Sequence, residues 1–190
     1  MKLSPNQEAP TFITKDIYNN EFNLKHYRGK KLLLSFFRNV ACPFCNLRVH
    51  QLKKLAADFQ RNGLSMAFFF ESSQKHILLS SLHSSLSPII ILSDSKKDFY
   101  KLYQVESSAM KVMSSMFKPN FMKNMNESKS LGLDKFEDDK SMSSVIPADF
   151  LIDETGVIRF LHYGTAINDH MPVELIKKFV DSNEYQSYLN

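Results

Sequence analysis

Residues 31–45 read KLLLSFFRNVACPFC, and how this stretch divides decides the fold. Lys31 to Phe37 is a short apolar run bounded by Arg28-Gly29-Lys30 on one side and Arg38 on the other, the pattern of a strand buried on both faces. From about Pro43 to Arg61 the period changes. Leu52, Leu55, Ala56 and Phe59 follow the i, i+3, i+4, i+7 spacing of a helix, while Lys53, Lys54 and Asp58 take its outer face. Asn62-Gly63 ends that helix, and Leu64 to Phe70 is the next buried strand. Residues 31 to 70 therefore predict one strand–helix–strand unit.

Working outward, the pattern repeats once toward the C-terminus. Ser73 to Leu82 predicts a helix, Pro88 to Leu92 a third strand and Lys96 to Tyr103 a short helix. Ile146 to Asp153 and Val157 to His162 predict a hairpin turning at Glu154-Thr155-Gly156. Pro172 opens a last helix whose Val173, Ile176, Phe179 and Val180 face inward. Residues 1 to 28 read as an extended lead-in, with a short strand at Phe12-Ile13 and a turn at Asn19-Asn20. Alternating strands and helices predict an α/β fold with a central mixed or parallel sheet flanked by helices. The expected organisation is a single domain over residues 1–182 that contains an insertion at 104–145, followed by a tail at 183–190.

The composition restricts function as well. With 5 Gly and 7 Pro in 190 residues, collagen-like and linker-rich architectures are excluded. The net charge of +4 is carried by scattered Lys and Arg, so nucleic acid is not an expected partner. No apolar run approaches the roughly 18 residues that span a bilayer, and no membrane partner is expected. The opening MKLSPNQEAPTFITKD has no apolar stretch of the signal-peptide kind, so the expected location is cytoplasmic and reducing.

The insertion concentrates six of the nine methionines: Met110, Met113, Met116, Met122, Met125 and Met142. The preferred reading lines Met110, Met113, Phe117 and Phe121 along one helix face packed on the core. The other reading is an adaptable apolar surface for a partner. Residues 129 to 144, rich in Ser, Lys and Asp, predict a loop.

Ala41-Cys42-Pro43-Phe44-Cys45 carries the chemistry. Cys42 falls at the N-cap of the predicted helix with Pro43 at its first position, where a missing N–H costs nothing. Free backbone N–H groups and the positive end of the helix dipole stabilise a thiolate there. Cys45 lies one turn deeper on the same face, within reach of a disulfide with Cys42, and its thiol is expected to be more buried and less ionised. Cys42 thus reads as the nucleophile and Cys45 as the resolving cysteine. A structural zinc site needs four ligands, and neither a second cysteine pair nor ligand-spaced histidines accompany the motif. His50 reads as a surface or packing residue. No nucleotide, flavin or metal motif is present, so no cofactor is expected. Ile146-Pro147 ahead of an apolar strand reads either as a special backbone feature, such as a cis bond, or as a plain strand-entry proline.

With both ends in view, the chain resembles the thioredoxin-fold superfamily, and within it the peroxiredoxin-like branch of alkyl hydroperoxide reductase/thiol-specific antioxidant type. Leu32 to Arg38 followed by Cys42-Pro-Phe-Cys-Asn-Leu47 is similar to that branch's strand, arginine and CP[YF]CN segment. Pro147-Ala-Asp-Phe-Leu-Ile-Asp-Glu-Thr-Gly-Val-Ile-Arg159 is similar to its second signature. Ala9-Pro10-Thr-Phe12 and Tyr27-Arg28-Gly29-Lys30 match its beginning. The resemblance implies a thioredoxin-like sheet with the CxxC at the start of the first major helix, and Pro147 as a cis-proline facing Cys42 and shaping the substrate groove. It also implies thioredoxin, glutaredoxin or glutathione as reductant, and leaves a homodimer open.

Departures from the branch bear on the substrate. Asn39 stands where the branch carries Thr, and Pro147 where it carries the peroxide-holding Arg. Arg38 is the remaining candidate to stabilise a thiolate or substrate. Asp149 replaces a usual Thr; it reads as facing solvent in preference to accepting a proton from Cys45. The expectation is a thiol oxidoreductase cycling through Cys42 and Cys45 on disulfide or peroxide substrates, with a slight preference for disulfide exchange. The alternatives are a thiol-dependent peroxidase proper and a non-catalytic redox sensor that binds through the methionine-rich segment.

Overall fold

A computed structural model describes residues 2–138 and 143–181. A small antiparallel ribbon pairs β1 (Ile13–Lys15) with β2 (Glu21–Asn23). The main sheet has five strands: β3 (Lys31–Phe36), β4 (Leu64–Phe70), β5 (Ile90–Ser93), β6 (Ala148–Ile152) and β7 (Ile158–Tyr163), in the spatial order β5-β4-β3-β6-β7. β3, β4 and β5 run parallel, and β6 and β7 are antiparallel additions on the other side of β3. β3 is thus the central strand, and all six of its residues are buried. The turn between β6 and β7 uses Gly156 at φ +85°, a conformation L side chains rarely adopt.

Strand alternation splits the core into two layers. Leu33 and Phe37 face one side, with Cys45, Val49 and Leu52 of α1 (Pro43–Arg61) and with Leu151, Ile176 and Phe179. Leu32, Leu34 and Phe36 face the other, with Phe12, Phe69, Phe150, Tyr100 and Tyr103. The phenylalanines pack specifically: Phe36 stacks on Phe69 at 4.9 Å and meets Phe150 edge-on at 5.9 Å. The last helix, α6 (Val173–Asp181), buries the expected Ile176, Phe179 and Val180.

Between these elements lie α2 (Gln74–Leu79), α3 (Asp98–Leu102), α4 (Ala109–Ser114) and α5 (Phe121–Ser130). α2 is shorter than the predicted 73–82 helix because the chain turns extended at Ser80 (φ −81°, ψ 113°). The insertion departs further from expectation. Phe121 packs its ring 4.8 Å from that of Phe44, and Met125 also joins the core, but Met110, Met113, Met116, Phe117 and Met122 are exposed. One continuous helix would have kept the stripe on a single inner face. Instead α4 tightens into a 3-10 turn at Ser115–Phe117 and the chain reverses at Asn120 (φ 63°), so most of the stripe points outward. The 129–144 loop also begins later than predicted, after Ser130. Met142 and the 183–190 tail lie outside the described residues.

Candidate active site

The buried β3 delivers the chain to one end of the sheet, where Phe37 and Arg38 follow and a turn leads into α1. The Cys42 N–H donates to the Asn39 carbonyl at 3.1 Å, closing that turn. Cys42 is the N-cap of α1 with extended backbone and Pro43 at the first helical position. Both cysteines are free thiols, Cys45 fully buried and Cys42 only 4% exposed. Arg38 reaches back across the turn, its Nη1 donating to Cys42 Sγ at 3.3 Å and its Nη2 to the Ser143 carbonyl at 2.6 Å. Its Nε is buried without a hydrogen-bond partner among the described residues.

The two thiols titrate apart. Burial alone would push the Cys42 thiol up. That is overcome by the hydrogen bond from the Cys45 thiol, the charge of Arg38, the Cys45 backbone N–H and the Arg38 hydrogen bond, which together lower it to about 6. Burial pushes the Cys45 thiol well up, and so do its hydrogen bond to Cys42 and the negative charge there; Arg38 opposes them. At neutral pH the pair is a thiolate with a protonated neighbour donating to it.

The structure brings together Arg38, Cys42 and Cys45, and the pairing of Phe36 with Ala148 puts Pro147 at the same end of the sheet. The Ile146–Pro147 bond is not cis; among the described residues the cis peptide is Ser87–Pro88. The strand-entry alternative accounts for Pro147. It stands just before β6, where it is buried. Its carbonyl accepts from the Gly164 N–H at 2.9 Å, and the Ile146 N–H before it donates to the Glu106 carbonyl at 2.9 Å, as suits a proline at the first residue of a strand.

Asp149 also differs from expectation. It is 1% exposed, and neither solvent nor Cys45 is its partner. Its carboxylate takes the His170 ring Nδ1 at 3.0 Å and the Met171 N–H at 2.8 Å, with Arg48 and Ser35 close by. Burial acts to raise its pKa, but His170, Arg48 and Ser35 outweigh it and hold the carboxyl far below the usual range. The His170 ring lies 4.8 Å from that of Phe37, and Arg48 Nη2 donates to the Met171 carbonyl. This buried ion cluster fastens the loop after β7 to α1 and β6. Sequence reading missed the partners of both Arg38 and Asp149, because Ser143, His170 and Met171 lie in irregular segments that carry no periodic signal.

Among the described residues no group of three or more His, Cys, Asp and Glu is arranged to hold a metal. The arrangement suits nucleophilic sulfur chemistry: a thiolate, a cation on it and a second thiol beside it.

Comparison with known proteins agrees with this chemistry. The profile described as AhpC/TSA family matches residues 5–161. A Helicobacter pylori protein named as a peroxiredoxin is 30% identical over 105 residues, covering 54% of this chain and 68% of that one. A Mycobacterium tuberculosis protein also named as a peroxiredoxin is 28% identical over 65 residues; the match spans 34% of this chain and 41% of the length of that relative. The reduced 2-Cys peroxiredoxin of Plasmodium vivax superposes with a TM-score of 0.65 at 20% identity, over 97% of this chain and 84% of that one, and so shares the fold.

Proposed function

Because the chain belongs to the AhpC/TSA family, we propose that it is a thiol-dependent peroxidase that uses Cys42 as nucleophile and Cys45 as resolving cysteine. The observation that carries this reading is the near-complete burial of a low-pKa thiolate under an arginine. Exchange with a protein disulfide needs an exposed sulfur, because the attacking and leaving sulfurs must line up. A thiolate only 4% exposed favours an oxidant as small as a peroxide. This reverses the slight preference for disulfide exchange drawn from the missing Thr and Arg.

In the proposed cycle the Cys42 thiolate attacks one peroxide oxygen and the O–O bond breaks. The leaving oxygen takes a proton and departs as water or alcohol, and Cys42 becomes a sulfenic acid. The Cys45 sulfur then attacks Cys42 Sγ, the hydroxyl leaves as water with the Cys45 proton, and a disulfide closes. An external dithiol or glutathione returns both thiols. Arg38 holds the thiolate and supplies N–H groups to the developing oxyanion.

Disulfide exchange is kept as the second reading, because Asn39 and Pro147 replace the groups that the family uses on peroxide. The test is to reduce the protein and mix it separately with stoichiometric hydrogen peroxide and glutathione disulfide, in wild type and Cys45→Ser, counting thiols by mass after rapid quenching. Fast peroxide consumption with a sulfenic acid trapped on Cys42 of the variant supports the peroxidase. Fast disulfide exchange with sluggish peroxide reaction overturns it in favour of the second reading. Slow reaction with both leaves only the redox-sensor alternative.

A further inference from the structure

The methionine-rich insertion presents an apolar surface that the dithiol chemistry does not use. Met110, Met113 and Met116 are 79%, 71% and 64% exposed, Phe117 is 90% exposed and Met122 64%. Their spacing along α4 and the following 3-10 turn puts the first four on one outer face, with Met122 just past the reversal. The inner face is fastened: Val112 packs on the core, and Ser115 Oγ accepts from the Ile167 N–H at 3.0 Å and donates to the Lys111 carbonyl at 2.6 Å. The patch is therefore held out by the fold. An exposed cluster of this kind marks an interaction surface.

Charge narrows the occupant. Lys118, Lys123 and Lys129 are exposed and make no ion pair among the described residues, and Glu127 is the one acid in the 109–130 segment. A second copy of the chain, seated across a two-fold axis, would bring these lysines against themselves. A docked peptide helix needs a groove, whereas Met116 and Phe117 protrude at the turn between two short helices. We infer that residues 110–123 dock the protein peripherally on an anionic lipid surface, with Met and Phe entering the headgroup–acyl boundary and the lysines facing the headgroups. This replaces the expectation that no membrane is a partner. It requires no span, and no helix among the described residues is long and apolar enough to cross a bilayer. Docking brings the dithiol with it, since α5 reaches the CPFC segment through Phe121 on Phe44 and through Ser128 Oγ, which donates to the Pro43 carbonyl at 2.9 Å.

The test is co-sedimentation of the full chain with neutral phosphatidylcholine vesicles and with equimolar phosphatidylcholine–phosphatidylserine vesicles at low and high salt. The expected result is binding to the anionic vesicles only, weakening with salt. The double variant Lys118→Glu/Lys123→Glu should lose at least about fivefold per lysine in partition. Phe117→Ser/Met113→Ser should lose binding without changing the reaction of Cys42 with peroxide or glutathione disulfide, whichever is fast; the substituted side chains are exposed, so the fold is kept. Absence of anionic binding overturns the inference. So does equal binding to neutral vesicles, binding indifferent to the Phe117 variant, or a dimer in light scattering that the patch variants dissolve. Vesicle binding is read without turnover, so its failure is separate from failure of the peroxidase proposal.

Discussion

Arg38→Met tests whether the guanidinium sets the acidity of Cys42. Nη1 stands 3.3 Å from Sγ. At an effective dielectric of about 20, unit charges at this separation attract by about 5 kcal/mol before solvation is counted. The realised effect is smaller because the guanidinium charge is delocalised and its other arm is held by the Ser143 carbonyl. An opposite charge at such range lowers a pKa by about one to three units. Methionine keeps the length of the side chain and removes the charge, while the Cys45 S–H and N–H still point at the sulfur. The Cys42 pKa should therefore rise by about one and a half units, leaving it below that of an ordinary thiol.

The assay is the pH dependence of Cys42 alkylation by iodoacetamide, with site occupancy read by mass and checked by thiolate ultraviolet absorbance. Wild type titrates near 6, which leaves about three-quarters thiolate at about pH 6.5. A variant titrating near 7.5 has about a tenth, so the rate at that pH should fall about eightfold. The plateau at alkaline pH, where Cys42 is ionised in wild type and variant alike, separates charge from access: it should change little. A midpoint unmoved by Arg38→Met, or a loss of rate that persists on the plateau, would refute the electrostatic account and make Arg38 a wall of the site instead.

Four further outcomes follow from the same structure. Asp149→Ala removes the stronger-acting of the two carboxylates that face the buried Arg48, the other being Glu174, and should cost about 3 kcal/mol in urea unfolding at neutral pH. The Asp149 carboxyl is depressed on folding, so the unfolded chain binds more protons in acid; its contribution is full above the ordinary carboxylate range and shrinks as pH falls below about 4, and the gap between wild type and variant must narrow there. Gly164→Ala would place a Cβ 2.6 Å from the Asp169 carbonyl and 3.0 Å from that of Pro147, both backbone atoms, and should cost about 1–3 kcal/mol by the same melt. Tyr100→Phe removes a hydroxyl that donates to the Phe37 carbonyl at 2.6 Å, one residue before Arg38, and should cost about 1 kcal/mol. With Cys42 so enclosed, hydrogen peroxide should react faster than a bulky tertiary hydroperoxide; equal rates would show that the site opens before chemistry.

The sheet was legible because its signals are local. KLLLSFF is apolar at five of its seven positions, as a strand covered on both faces needs to be; the two-layer core around Leu32, Leu33 and Leu34 is what that run demanded. α1 ends at Arg61 because Asn62-Gly63 follows, with Gly63 at φ +85°. The insertion was less legible. Met110, Met113 and Phe117 have helical spacing, but periodicity names a face without saying which way it points. Asn120 takes a left-handed conformation without a glycine to announce it. Asp149 shows the same limit: an acid in a buried strand needs a partner, and the sequence offers many candidates at distances only the fold resolves.

The division of labour between the cysteines illustrates how far local reasoning extends. Helix position alone ranks Cys42 as the more acidic, because an N-cap sulfur meets unpaired N–H groups and a sulfur one turn in is buried. The structure adds two influences of different origin. Burial raises the Cys45 pKa, and the hydrogen bond that Cys45 donates to Cys42 raises it further while lowering that of Cys42. Arg38 contributes from four residues upstream, a separation fixed by the turn that the Cys42 N–H closes on Asn39. The same turn that makes the sulfur a good nucleophile also encloses it. High thiolate content and low exposure thus meet in one short segment, the combination on which the proposed preference for a small oxidant rests.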